Sequence, residues 1–313
     1  MNRKLAVILL IIANTLWGSS YVVAKVALYE LPPPLLSALR FSLASIFIWS
    51  IVLWQNYRKN NAFAGRGIRQ LERVDAAKMI ALGLCGISMS YLLSYWGMSL
   101  TTATDAALLI ICEVIFTSIL AVLILGERLG RWKRLGIVIG IAGVVVLVMS
   151  NVAENETGGA GKFRAIGDIL IMGGLFCQAI YSVLGTGLSR KYQSLTLLAV
   201  THAGSLLVWL PILIWYIAGN RFPAISLMAG LSVVYLAAII SVVCFFIWFN
   251  VLRVVGAGMG AITLFVQPLV GAVMGILLLK DPVTLGLCLG GGLVFTALYL
   301  TSIPDHVSPP GRP

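Results

Sequence analysis

The chain has 313 residues, of which 60% are hydrophobic and only 11% charged. Soluble domains carry about 25% charged residues, so this composition excludes a water-covered globule and points to an all-α polytopic membrane protein. The formal net charge of +11 is read as topology and contact with anionic lipid headgroups. No nucleic-acid partner is expected, because the one dense basic run, residues 58–78, is a short loop between apolar segments.

A membrane span needs about 20 mostly apolar residues. Ten candidates follow in order: 5–24, 35–54, 79–100, 106–125, 135–149, 166–188, 195–218, 227–252, 257–279 and 285–303. The first begins after Arg3 and Lys4 and runs into Trp17 and Tyr21 rather than a small-residue cleavage site, so it reads as a retained span and not a secretory signal. It carries Asn14 and Trp17 near mid-membrane. The second carries Arg40 about two turns in. A guanidinium cannot lose its proton, so Arg40 must snorkel outward, pair with a carboxylate or bind an anionic ligand group. The third ends in Tyr91, Tyr95 and Trp96. With Trp17, Tyr21 and Trp248 these aromatics suit either a pocket for an apolar or cationic substrate or a belt at the membrane interface.

The fourth span contains Glu113, with no adjacent polar stretch to explain it. A carboxylate at the centre of a membrane helix costs about 2.5–3.5 kcal/mol on insertion scales, and such groups commonly mark a substrate or ion path. The competing reading is a protonated Glu113 bonded to a neighbouring helix for structure alone. In the fifth span Gly136 and Gly140 stand four apart, followed by Gly143; the tenth has Gly286 and Gly290, then Gly291 and Gly292. Small residues at that spacing let backbones approach closely in lipid, which predicts that spans five and ten pack on each other. Span six holds Gln178 and Tyr181, span seven His202 and span nine Gln267. The amides of Asn14, Gln178 and Gln267 line a cavity or bond between helices. His202 is either a hydrogen-bonded packing residue or a proton carrier. The five cysteines (Cys85, Cys112, Cys177, Cys244 and Cys288) all lie inside apolar runs with no metal-ligand spacing, so they are read as packing residues. No metal and no cofactor are expected.

Basic residues set the orientation. With the N-terminus inside, sixteen fall on the inner side and five (Lys25, Lys162, Arg164, Arg221 and Lys280) on the outer side, so both termini are expected in the cytoplasm of a bacterial inner membrane. Residues 151–165 read as an external connector between two units, 1–150 and 166–303, with 304–313 a cytoplasmic tail. Sliding the second unit by 154 places Glu113 on Gln267 and Glu127 on Asp281. Five spans is an odd number, so a duplicated unit re-enters from the opposite side. This is the inverted repeat common in secondary transporters.

Particular segments resemble a known family. The run Trp17-Gly18-Ser19-Ser20-Tyr21-Val22-Val23-Ala24-Lys25 looks like the first-span signature of the EamA family in the drug/metabolite transporter superfamily. Pro33-Pro34-Leu35 through Arg40-Phe41 resembles its second-span entry, and Leu125-Gly126-Glu127-Arg128-Leu129 its turn after span four. Gln267-Pro268-Leu269 with Leu279-Lys280-Asp281-Pro282 looks like the second copy. The resemblance implies ten helices in two inverted five-helix halves, helices five and ten apart from the transport core, and small metabolites, chiefly amino acids and related compounds, as cargo of a family rich in exporters. One departure stands out. The family usually has a proline at the position of Val114, matching Pro268, and its absence predicts a straighter span four.

The leading expectation is a secondary active transporter working by alternating access, with Glu113 either titrating to couple transport to protons or holding a substrate ammonium group. No phosphate-binding loop with lysine is present, which argues against direct drive by ATP. A channel or lipid flippase is the alternative. An intramembrane enzyme ranks last, because Glu113 is the one mid-membrane acid and no catalytic cluster surrounds it. Monomer and homodimer are both open.

Overall fold

A computed structural model describes residues 3–57, 66–125, 130–153, 160–248, 250–251 and 266–303. Among them no strand forms, and the chain is a bundle of long apolar helices. We number the helices by span: α1 (Arg3–Leu28), α2 (Pro33–Tyr57), α3 (Arg73–Leu100), α4a (Ala103–Leu108) with α4b (Ile111–Leu125), α5 (Arg131–Ala153), α6 (Ala160–Lys191), α7 (Ser194–Ala218), α8 (Leu227–Trp248), α9 (Val266–Leu278) and α10 (Leu285–Ser302). Eight of these spans are long and apolar enough to cross a membrane; α9 and α10 are shorter apolar helices over their described residues.

Several helices overrun the expected spans, since a helix continues into the headgroup region while its backbone bonds stay satisfied internally. The third begins at Arg73 rather than 79, and α1 extends past Lys25. Helix α5 runs to Ala153 and α6 starts at Ala160, so most of the expected connector 151–165 is helical. Residues 154–159 of that connector, the turn at Gly126–Leu129, residues 252–265 of spans eight and nine, and the tail 304–313 lie outside the described residues.

Polar ties at the helix ends fix the path of the chain. At the end where α1 begins, Lys191 from the close of α6 reaches Glu72 at 2.9 Å and Asp75 at 2.7 Å, both at the start of α3. Arg66 adds a contact to Glu72 at 2.8 Å, and the Tyr192 hydroxyl donates to Asp75 at 2.8 Å. At the far end Lys25 donates to the carbonyls of Met98 and Thr101, both at 2.6 Å, and so caps the close of α3. There Asp281 accepts from the backbone N–H of Thr104 at 2.9 Å and from its hydroxyl at 2.7 Å, capping the start of α4a. Lys280 adopts a left-handed conformation (φ 57°), the turn that aims Asp281 back at that helix. Glu30, between α1 and α2, meets the N-cap Ser226 of α8 at 2.6 Å, also at the far end. Each tie joins ends that a strictly alternating path brings together.

Helices α5 and α10 lie against each other. A Cβ on Gly136 would stand 2.9 Å from the Ala297 carbonyl oxygen, and one on Gly290 would stand 3.0 Å from that of Gly143. Gly140 faces Ala297 and Ile111, and Gly286 faces Ser150. Only glycine permits such approach, and dispersion between the closely set backbones holds the pair.

Three helices are interrupted at mid-span. Helix α3 is π-helical over Leu84–Met89 and α8 over Leu236–Cys244, at corresponding places in the two units. The fourth span corrects an expectation: it is not straight but broken at Leu109 and Ile110 without any proline. The bonds there run i to i−3, from Ile110 to Ala107 (3.5 Å), Cys112 to Leu109 (2.8 Å) and Glu113 to Ile110 (3.0 Å). Leu108 through Cys112 are all buried, and non-helical backbone at membrane depth is tolerated where protein surrounds it.

Candidate functional site

The break in the fourth span sets Glu113 in the first turn of α4b, with its side chain half-buried. Its Oε1 accepts a long bond from the Ser182 hydroxyl of α6 at 3.4 Å. Tyr21 of α1 and Tyr91 of α3 lie within electrostatic reach of the carboxylate. The Ser182 bond ties α4b to α6, and the two tyrosines pack against the same buried cluster as the start of α4b. Gln178, one turn before Ser182, turns instead to α3, where Ser90 donates to its Oε1 at 3.3 Å and to the Gly174 carbonyl at 2.8 Å. Tyr181 is buried against Gly86, its hydroxyl 3.5 Å from Thr201 of α7.

The second unit carries a related arrangement with different chemistry. Gln267 Nε2 donates to Asn14 Oδ1 at 2.6 Å, and Asn14 Nδ2 donates to the Leu10 carbonyl at 2.8 Å. Both side chains are buried, and Gly18 brings α1 onto the Gln267 backbone: a Cβ there would stand 2.6 Å from its carbonyl oxygen. Under the shift of 154 Gln267 corresponds to Glu113. The α1–α9 contact and the α6–α4b contact thus each hold one member of this pair. The first is closed by a short amide–amide bond, and the second has a carboxyl group and a longer bond.

Arg40 forms the other polar centre. It is 2% exposed, so it does not snorkel, and among the described residues it joins no ion pair. Its burial excludes outward snorkelling, and none of the described carboxylates pairs with it. Its Nε donates to Ser241 Oγ at 2.9 Å and its Nη1 to the Tyr95 hydroxyl. The π segment of α8 aims Ser241 here: its hydroxyl donates to the carbonyl of Leu236, five residues back, at 3.0 Å. The guanidinium lies 4.6 Å from the Tyr91 ring centre, 4.9 Å from Phe41 and 5.8 Å from Tyr95. Cation–π attraction of about 0.5–2 kcal/mol per ring offsets part of the desolvation.

The aromatics divide rather than form one wall. Tyr91, Tyr95 and Phe41 surround Arg40, with Trp209 stacked on Phe41, while Trp17 meets Phe245 and Trp248 edge-on at 5.2 and 5.4 Å. Tyr95 is buried and so is not part of an interface belt; Trp96 is 49% exposed and faces outward. His202 is buried beside Phe41, its Nδ1 donating to the Leu198 carbonyl at 2.9 Å. Ser182, Ser241, Phe41 and Phe245 were not singled out from the sequence. Serines at one-turn spacing from a recognised polar residue, as Ser182 is from Gln178, are the signal that could have found the first. Among the described residues no cluster of three His, Cys, Asp or Glu could hold a metal.

The family model described as "EamA-like transporter family" matches residues 4–149 and again 165–303. An "Uncharacterized transporter" of Archaeoglobus fulgidus is 26% identical over 98% of this chain and 100% of its own length. A "Probable amino-acid metabolite efflux pump" of Escherichia coli is 27% identical, covering 96% of this chain and 95% of that one. A solved crystal structure at 17% identity aligns over 96% of this chain and 98% of the other with a TM-score of 0.63, which shows a common fold.

Proposed function

Since the chain belongs to the EamA-like transporter family, we propose that it is a proton-coupled secondary active transporter that exports small metabolites of the amino-acid class across the plasma membrane. The observation that carries this reading is Glu113: one half-buried carboxyl, at a broken membrane helix, bonded across to Ser182 of α6. A static structural role would close its contact as tightly as the Asn14–Gln267 bond closes its counterpart. The bond to Ser182 is instead 3.4 Å long, against 2.6 Å in that counterpart. A neutral Glu113 has an amide-like donor and acceptor; an ionised one accepts only. Protonation therefore changes which bonds the α4b–α6 contact can make, and the contact becomes the element a proton gradient biases.

The two units rock about this centre in the alternating-access cycle. The π segments of α3 and α8 and the break in the fourth span are the places where the bundle yields, since strained or irregular turns absorb helix bending. Both termini lie in the cytoplasm, on the side holding most of the basic residues. The name of the Escherichia coli relative supports the amino-acid class and the outward direction.

Reconstitution separates a carrier from a channel or lipid flippase. Proteoliposomes preloaded with an unlabelled amino-acid mixture should accumulate labelled external amino acid transiently, with saturation. Ohmic conductance in planar bilayers, or lipid scrambling without counterflow, contradicts the proposal.

A further inference from the structure

Arg40 is a permanent cation buried in the bundle, and the protein supplies it with hydroxyls and aromatic faces but, among the described residues, no anion. Its Nη2 is buried and has no hydrogen-bond partner among the described residues. Ser37, one turn earlier on the same face of α2, is also fully buried, and its hydroxyl likewise has no partner among the described residues. Both groups can donate. A water molecule would satisfy the hydrogen bonds and leave the charge uncompensated, whereas an anion does both.

We infer that Arg40 and Ser37 form a binding site for one small monovalent anion, a carboxylate or a halide, between α2, α3 and α8. The charge count sets the valence. One guanidinium balances one negative charge. A divalent oxyanion would leave the centre net negative and would need more than one free N–H direction. Tyr95 and Ser241 occupy Nη1 and Nε and hold the guanidinium plane, so Nη2 is presented in a fixed orientation. The anion is either a free ion from solution or the carboxylate of a transported solute. The chemistry at Arg40 is the same in both cases. This site does not depend on proton coupling at Glu113.

The test uses the full-length protein in detergent, in a buffer whose anion is a bulky sulfonate. Chloride and formate are titrated separately and the melting temperature is followed. The wild type should be stabilised saturably by both, Arg40→Met should show no response, and Arg40→Lys should retain one with affinity about tenfold weaker. Glycine against glycinamide distinguishes the source. Stabilisation by glycine alone, competing with chloride, assigns the site to a solute carboxylate; stabilisation by chloride and formate with no response to glycine assigns it to a free ion. Should Arg40→Met fail to fold, equilibrium binding of radiolabelled chloride to the wild type replaces it, with one site per chain displaced by formate and weakened by Ser37→Ala. An unchanged anion response in Arg40→Met, or no binding by the wild type, overturns the inference. Glu113→Gln should keep the full anion response, so a failure of proton coupling and a failure of this site are separable.

Discussion

The amide pair between α1 and α9 allows the sharpest energetic prediction. Gln267→Leu removes the donor that meets Asn14 Oδ1 at 2.6 Å, and Asn14→Leu removes the acceptor, both at buried positions. Leu approximates either side chain in volume, so the perturbation is chiefly polar. Hydrogen bonds between membrane helices couple by about 0.6 kcal/mol on average and about 1.7 at most. This one is short and enclosed, because Gly18 seats α1 directly on the Gln267 backbone. We therefore expect a coupling energy of about 1–1.7 kcal/mol at the upper end of that range, with single variants destabilised by about 1–2 kcal/mol. A double-mutant cycle on reversible unfolding in mixed micelles measures it. Additivity within about 0.5 kcal/mol, the ordinary scatter for uncoupled sites, would refute the claim that this bond closes the contact.

Gly136→Ala places a methyl group 2.9 Å from the Ala297 carbonyl oxygen and should cost about 1–3 kcal/mol, whereas Gly292→Ala meets open space and should be neutral or stabilising by up to about 1 kcal/mol in the same unfolding assay. Asp281→Ala removes the two bonds its carboxylate accepts from Thr104 in the first turn of α4a, leaving the Thr102 cap in place, and should cost about 0.5–2 kcal/mol, read as a lower melting temperature. At the opposite end, bonds from Lys191 and Arg66 hold the Glu72 carboxyl below its ordinary value of 4.5. That stabilisation is present above 4.5 and is lost as pH falls through the lowered value. Asp75 and Glu72 hold Lys191 above its ordinary 10.5, and this contribution is present below 10.5 and lost as pH rises through the raised value. Thermal melts across pH should show both limbs, and Lys191→Met should flatten them.

Much of the fold was legible because lipid forces one backbone solution. Once residues 5–303 resolve into apolar runs, helices follow, and their order follows from charge at the loops. The glycines of spans five and ten were readable for the same reason: close packing in lipid demands small residues at fixed spacing. Glu113 and Arg40 were conspicuous as costs. What they touch was not legible. Ser241 reaches Arg40 only because α8 is π-helical over Leu236–Cys244, and no local sequence rule announces that register change. The break at Leu109 and Ile110 was likewise hidden, since its residues are ordinary helix formers and the missing proline argued the other way. Its residues are buried in a cluster drawn from distant parts of the chain. Tyr95 was ambiguous between belt and core because periodicity locates a helix face without saying which face meets protein.

Proton coupling turns on Glu113. The direct measurement is substrate-induced proton movement in proteoliposomes, wild type against Glu113→Gln, under an imposed pH gradient with a dye reporting the interior. The wild type should move protons when an amino-acid substrate is added and should concentrate that substrate against its gradient. Glu113→Gln, folded and melting like the wild type, should do neither while still exchanging substrate down its gradient. Proton movement and concentrative transport of wild-type size in Glu113→Gln would contradict the proposal.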